Sequence, residues 1–408
     1  MKKNFFKAAL CLTMMASVST LYVSCNDDDD NNDVVPAGPT IDPANFKGSI
    51  ATGTTVTLDP SKTYNLNGKL LVENGATLII PAGTRVVGAQ GANYLIVDRG
   101  GKIFINGTQT NPVVFEGAQH TQGYWGGIVV LGNAPSNRSA SGTSTSELGD
   151  LTYGGTNKAD NSGVIKYLVI KDSGFKYNPE KEFNGLSLFG VGSQTVVSYV
   201  SITDGADDGI EFFGGNVNAD HLVILGNGDD TFDWTEGWQG TAEYIYAARK
   251  KEYVNAAEPG NRGIEADTQD TDPNTNNGNG ASNPTIRNAT FIGNVKGSES
   301  QGMKIRAGSN GKFDNIVLAN YTTGLDFETD RTYAWFTSGS YMTNFKFVNV
   351  STLVKAKNTT VYPDATTTLS TVFSVNENAV GAGSVTALPE WGKGWSGVVA
   401  FDVADAGN

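Results

Sequence analysis

Val200-Ser-Ile202 and Leu222-Val-Ile224 are each followed by a polar turn, then by Asp208-Gly-Ile210-Glu-Phe212 and Asp230-Thr-Phe232-Asp-Trp234, an offset of 22 residues at every equivalent position. Leu168-Val-Ile170 before Asn184-Gly-Leu186-Ser-Leu188 carries the pattern backwards, with an insertion around Pro179. Ala289-Thr-Phe291 before Gln301-Gly-Met303-Lys-Ile305, and Ile316-Val-Leu318 before Thr323-Gly-Leu325-Asp-Phe327, carry it forwards. Arg262-Gly-Ile264-Glu-Ala266 and Gly126-Gly-Ile128-Val-Val130 add members to the second of these two columns. A period of this length, holding two or three short strands, is one coil of a parallel β-solenoid. One coil cannot bury its own apolar face, so coils must stack at the inter-strand spacing of about 4.8 Å. Side chains alternate across a strand. The alternation predicts an interior ladder of Ile210, Phe232, Ile264, Met303 and Leu325, and a second of Phe212, Trp234, Ile305 and Phe327.

Composition agrees with this reading. After residue 46 no stretch of ten residues shows a 3.6-residue apolar period, and short alternating runs such as Thr55-Val-Thr-Leu58 dominate. Gly occupies 50 of 408 positions and suits the corners of a repeating coil. The fold class is all-β. A net charge of −13 opposes nucleic-acid binding, which needs a basic face for phosphates. Two Cys cannot staple a disulfide scaffold or build a Cys-rich zinc site, and two His leave little for triad or His-metal chemistry.

The N-terminus reads as an export signal. Lys2, Lys3 and Lys7 precede an apolar run over residues 8–18 that is short for a membrane span. Small Ser24 precedes Cys25. Leu21-Tyr-Val-Ser-Cys25 resembles the lipobox of bacterial lipoproteins, although Tyr22 replaces the usual aliphatic residue. The resemblance implies cleavage after residue 24 and lipidation of Cys25. The mature chain would then keep 26 basic and 42 acidic residues, net −16, and one cysteine. Residues 27–30 are all Asp, similar to the surface-export signal of Bacteroidetes lipoproteins. Residues 25–46, with Pro36, Pro39 and Pro43, are read as a flexible acidic tether. The expected organisation is a signal over 1–24, the tether over 25–46, the solenoid over 47–350, and C-terminal coils and a cap over 351–408. Trp391 and Trp395 are expected to cover the last coil.

The coil pattern resembles the right-handed single-stranded parallel β-helix of the pectin-lyase-like superfamily, and the resemblance supplies the hand. About ten coils are expected. Tyr124-Trp-Gly-Gly-Ile-Val-Val-Leu-Gly132, Asp207-Asp-Gly-Ile-Glu-Phe-Phe-Gly-Gly215 and Asn227-Gly-Asp-Asp-Thr-Phe-Asp-Trp234 also resemble a group of Bacteroidetes surface lipoproteins over roughly residues 46–350. That resemblance implies an exported β-helix and no particular activity.

The outward positions of the second column read Val129, Ser187, Glu211, Asp233, Glu265, Lys304 and Asp326. Stacked carboxylates repel unless a cation or a proton intervenes. Glu211, Asp233 and Glu265 are therefore read as a divalent-ion site, with Ca²⁺ the candidate, or as a uronic-acid site, against the alternative of a solvated stripe neutralised by Lys304, Arg306 and Arg262. Asp270 and Asp272, alternating with Asn274 and Asn276, offer oxygens at the spacing used by Ca²⁺ loops, without the Gly and terminal Glu of an EF-hand.

At the turns, Asp204, Asp207, Asp208, Asp229 and Asp230 form a second acidic group, with Asp208 a further catalytic candidate; Asp204, Asp229 and Asp230, followed later by Lys304-Ile-Arg306, resemble the three-Asp arrangement and basic pair of polygalacturonases. The resemblance implies acid and base roles for the carboxylates. It lacks the family's Gly-His-Gly, and the basic pair is reversed. Asp and Gly are also ordinary turn formers. Trp238, just beyond its strand, is the best candidate for an exposed sugar-stacking ring, whereas Trp234 falls inward.

The sequence therefore points first to a lipid-anchored, cell-surface β-helix acting as a structural, adhesive or glycan-contacting scaffold. Its expected partners are the membrane and a polysaccharide or other surface proteins, with Ca²⁺ the one ion the pattern would accommodate. A polygalacturonase-like hydrolase or Ca²⁺-dependent lyase is the alternative.

Overall fold

The computed structural model describes residues 41–148, 151–178, 181–251, 262–269, 279–296, 300–328, 330–356, 372–399 and 401. Cys25, the run at residues 27–30, Asp270 and Asp272 lie outside the described residues.

Strands are short because each coil turns three corners. The coil from Leu186 shows the order: Leu186–Phe189 in a first column, then Val196–Thr203, which bends after Ser198 and serves a second and a third column. The next coil repeats this with Ile210–Phe213 and Asn218–Leu225. Parallel pairing joins each column to the coil above and below, and one 23-stranded sheet wraps round the axis. The architecture is a right-handed parallel β-helix. Successive pairings carry the first column through eleven levels, from Gly48–Ile50 to the end of Met342–Ala356.

The register is the one the repeat predicts. Ile210 pairs with Phe232, Phe232 with Ile264, Ile264 with Met303 and Met303 with Leu325. All five are fully buried. Phe212, Trp234, Ile305 and Phe327 form the neighbouring ladder, with Ala266 filling the level between Trp234 and Ile305.

The corner between the second and third columns is a single residue in the left-handed region. Tyr167, Tyr199, His221, Tyr244, Asn288, Asn315 and Asn344 hold it on successive coils, with φ between 50° and 57°. This conformation suits Asn but costs other L-residues about 1–2 kcal/mol. The ring-bearing corners offset that strain by stacking: centroids lie 4.4 Å apart for Tyr167–Tyr199, 4.3 Å for Tyr199–His221 and 4.8 Å for His221–Tyr244. The Asn corners use amides instead, Asn315 Nδ2 donating to Asn288 Oδ1 at 2.8 Å.

Two expectations need correction. Trp238 is not exposed. It is fully buried, stacked on Phe212 at 4.0 Å, and donates through Nε1 to the Val217 carbonyl. The turn after Thr235 folds inward, so a residue outside the strand still fills the core. Nor do Trp391 and Trp395 cap the end of the solenoid. The segment from Asn376 to Val399 runs back along the outer face of the third column. There Gly383 accepts from Thr290 Oγ1, Ser384 accepts from Tyr246 Oη, Trp391 meets His221 edge-on, and Trp395 meets Tyr167 and Tyr199 edge-on. The reason is apolar surface: Val223, Tyr246, Ala248, Ile292 and Ala319 face outward on that column and need a cover. Helix Asp330–Thr337 instead packs Tyr333 and Phe336 against the interior near the last coils. Phe46 lies against Tyr64 at the other end.

Phe212 bridges Phe232 and Trp238 within the core. Phe212→Ala should lower unfolding free energy by about 3–5 kcal/mol, read by chemical denaturation. A loss below about 1 kcal/mol would contradict the close packing assigned to this ladder.

Candidate functional site

The outward ladder of the first column is continuous in register: Val129, Ser187, Glu211, Asp233, Glu265, Lys304 and Asp326 pair level by level. Outward does not mean solvated here. Asp233 and Glu265 are each 8 % exposed and Asp326 is 3 % exposed. The cover comes from insertions between the strands. Residues 133–160 carry the hairpin Thr143–Thr145 and Thr152–Gly154. They dock through buried Tyr153, whose hydroxyl donates to Glu236 beside the Ser136 and Arg138 contacts to the same carboxylate. A second hairpin, Lys176–Asn178 with Lys181–Glu182, leads into Phe183, which packs on Tyr94.

Between these insertions and the column lies a cavity of about 490 Å³. The turn residues reach it because the period superposes them: Asp207 sits a coil above Asp229, Asp208 above Asp230, and Glu211 above Asp233. Ten carboxylates and four cationic side chains line it. Three trios, Asp207–Asp208–Asp229, Asp208–Glu211–Asp233 and Asp230–Asp233–Glu265, each bring one oxygen per residue within 4.8 Å of the others.

The carboxylates differ in how they are held. Asp208 Oδ1 accepts from the Asp230 amide at 2.8 Å, and Asp230 in turn accepts from the Arg262 amide and from Arg262 Nη1 at 2.9 Å. Glu211 accepts from Asn184 Nδ2 at 2.6 Å. Glu265 lies between Arg262 at 2.8 Å and Arg306 at 3.1 Å. Arg306 also makes a two-pronged contact to Asp267, at 2.7 and 3.0 Å. Asp233 differs: its Oδ1 is buried and no hydrogen bond reaches it. Burial, reinforced by neighbouring carboxylates, pushes Asp207, Asp208, Glu211, Asp230 and Asp233 well above the ordinary carboxylate range. Burial alone would lower Arg306, but the Asp267 hydrogen bonds and the charges of Asp267 and Glu265 outweigh it and hold the guanidinium charged.

A family-model comparison matches residues 48–396 to the pectate-lyase like beta helix domain. The chain belongs to the pectate-lyase-like β-helix family. No curated protein and no solved structure matched the chain.

The polygalacturonase-like set is only partly brought together by this pectate-lyase-like β-helix. Asp208, Asp229, Asp230 and Arg306 line the cavity. Asp204 does not. It holds a left-handed corner and is clamped by Lys250 Nζ at 2.6 and 2.8 Å. Lys304 does not line it either, being turned to Asp326 at 3.5 Å and Glu328 at 3.8 Å. A reversed basic pair places its second member, not its first, at the pit. No tyrosine or tryptophan supplies a stacking ring at the pit: Trp125, Trp234, Trp238 and Tyr246 are buried, and neither Tyr124 nor Tyr244 is among the described residues that line it.

Sequence reasoning missed Asp267 as a site member, together with the rim residues Arg138, Glu147, Lys176, Lys181 and Glu182. Asp207, named among the turn acids, does line the pit, where the period puts it over Asp229. The rim residues arrive on insertions, whose docking no repeat encodes.

The raised carboxylates set a pH dependence. Each holds a proton in the folded protein at a pH where the unfolded chain, with ordinary values of 3.8 for Asp and 4.5 for Glu, has lost it. Stability contributed by the protonated forms is present below those values and is lost as pH rises through the raised folded ones. In chelator, the melting temperature should therefore fall as pH rises from about 5, just above the ordinary carboxylate values, into the range where the raised groups ionise. A rise over that window, read by thermal melts, would refute the assignment.

Proposed function

We propose that this chain is an exported, lipid-anchored β-helix that serves as a Ca²⁺-loaded binding scaffold at a cell surface, with the acidic pit as its ion site. The observation that carries the ion site is Asp233, a member of two carboxylate trios whose buried Oδ1 has no hydrogen-bond partner. Ca²⁺ takes six to eight oxygens at about 2.3–2.6 Å. Three oxygens within 4.8 Å of one another match the width of such a shell. Mg²⁺ holds its ligands at about 2.0–2.1 Å in a stricter octahedron. The surface role is supported by the Cys25 lipobox, the Asp run behind it and the resemblance to Bacteroidetes surface lipoproteins.

Binding fits the pit better than turnover. A lyase needs a basic group free to take a proton, and Arg306 and Lys304 are both held by carboxylates. Glycosidic hydrolysis needs a carboxyl pair about 5–9.5 Å apart. Asp230, one of the turn acids that would serve in such a pair, is committed to Arg262.

Calorimetric titration of the metal-free protein with Ca²⁺ should show saturable binding. Asp233→Asn should weaken it by about tenfold or more, and Ca²⁺ should raise the melting temperature. No heat of binding and no thermal shift would defeat the ion site. In cells, Cys25→Ala should release the protein from membranes, and continued retention would contradict lipidation.

The enzymatic reading keeps one supporting observation, that Asp230, Asp233 and Arg306 share one cavity. Incubation with acidic and neutral glycans, followed by reducing ends and unsaturated products, separates the two. Turnover of any of them would replace the scaffold reading.

A further inference from the structure

The pit is larger than an ion requires. At about 30 Å³ per water in the liquid, 490 Å³ holds on the order of sixteen waters. A Ca²⁺ ion held by three carboxylates needs only a few waters to complete its shell. The remainder is within the range of small-ligand sites, which begins near 300 Å³.

The lining restricts what enters. Ten carboxylates against four cations leave the wall at −6 when ionised. Each of those cations already has a protein acceptor. Arg138 is on Glu236, Lys176 on Glu182, Lys181 on the Glu147 carbonyl, and Arg306 on Asp267 and Glu265. No arginine fork is presented to a ligand carboxylate. Cation binding displaces the protons of the carboxylates that take it up, and a fully ionised wall then carries −4 with one Ca²⁺ and −2 with a second. A uronate entering this field adds like charge. Ionised carboxylates accept hydrogen bonds and donate none. The complementary ligand is therefore uncharged and rich in O–H donors. A vicinal diol meets both demands, since its two oxygens can complete the cation shell while its hydroxyl protons go to carboxylates.

We infer that the pit, with its cation bound, recognises a neutral glycan through a vicinal diol and discriminates against polyuronates. This rests on the ion-site reading above, and the experiment separates the two. The full chain carrying Cys25→Ala is first titrated with Ca²⁺ alone, which speaks only to the ion site. The Ca²⁺-saturated protein is then titrated with trisaccharides of mannose, of galacturonate and of glucosamine, with and without chelator. Binding of mannotriose at least about tenfold tighter than trigalacturonate, and lost in chelator, is the expected result. Asp233→Asn should weaken mannotriose, and chelation of the unaltered protein makes the same test without a substitution. Tighter binding of the uronate or of the amine-bearing trimer, or mannotriose binding unchanged in chelator, would overturn the inference. So would a Ca²⁺ isotherm with no binding of any trimer.

Discussion

A hydrogen-bonded parallel ladder forces like positions on top of one another, and everything else in this protein follows from how each stack tolerates that. An apolar interior gains from it. The period delivers Phe212 and Phe232 to adjacent levels, and the inward turn adds Trp238 to complete a continuous aromatic layer. Each buried side chain of this size contributes about 1.5–3 kcal/mol. Stacked charges lose by the same geometry. Two ionised carboxylates one strand spacing apart repel by roughly 3 kcal/mol at an effective dielectric near 20. The outer face of the first column resolves this along its length. Its early levels are apolar, with Ile96 and Val129 buried under the insertions. Its late levels mix signs, with Lys304 and Lys355 flanking Asp326. Only the levels of Glu211, Asp233 and Glu265 stack acid on acid, and the pit lies there.

What the repeat specifies locally was legible, and what the tertiary structure decides was not. Alternation fixed which face Ile210, Phe212 and Asp233 occupy, because a one-residue slip would exchange the faces of every side chain. Exposure was a different matter. Asp233 was read correctly as outward, yet it is buried by hairpins from residues 133–160 and 176–182 that no period places. Trp238 failed for a related reason: it stands outside the strand that gave the pattern, and the turn carries it inward. Asp204 looked equivalent to the other turn acids by composition. Its left-handed backbone and Lys250 take it to a different neighbourhood.

The corner between the second and third columns ties local strain to the C-terminal strap. Tyr and His hold left-handed backbone there, and their rings form a half-exposed stack. Trp391 and Trp395 close over its side. The strap spans several coils, so it links levels that otherwise touch only their neighbours. It occupies the third column, and the pit lies on the first. The two surfaces carry opposite character, one apolar and covered, the other charged and hollow.

The pit's charges are compensated from behind. Arg249 is 3 % exposed and donates to the Asn227, Gly228 and Asp229 carbonyls beneath the acidic turn. Arg262 holds the rear of Asp230. Neither lines the cavity. Cations placed this way reduce repulsion among Asp229, Asp230 and Glu265 without filling the space in front of them. A fold that only needed to neutralise its acidic stripe would be better served by bases within the ladder itself, as Lys304 and Lys355 serve Asp326. Here Arg249 and Arg262 stand back, Arg306 reaches Glu265 from the pit side, and the buried Asp233 Oδ1 is left with nothing bonded to it. That arrangement keeps the carboxylates affordable while leaving their lone pairs available, which is what a hard cation and the hydroxyls it holds require.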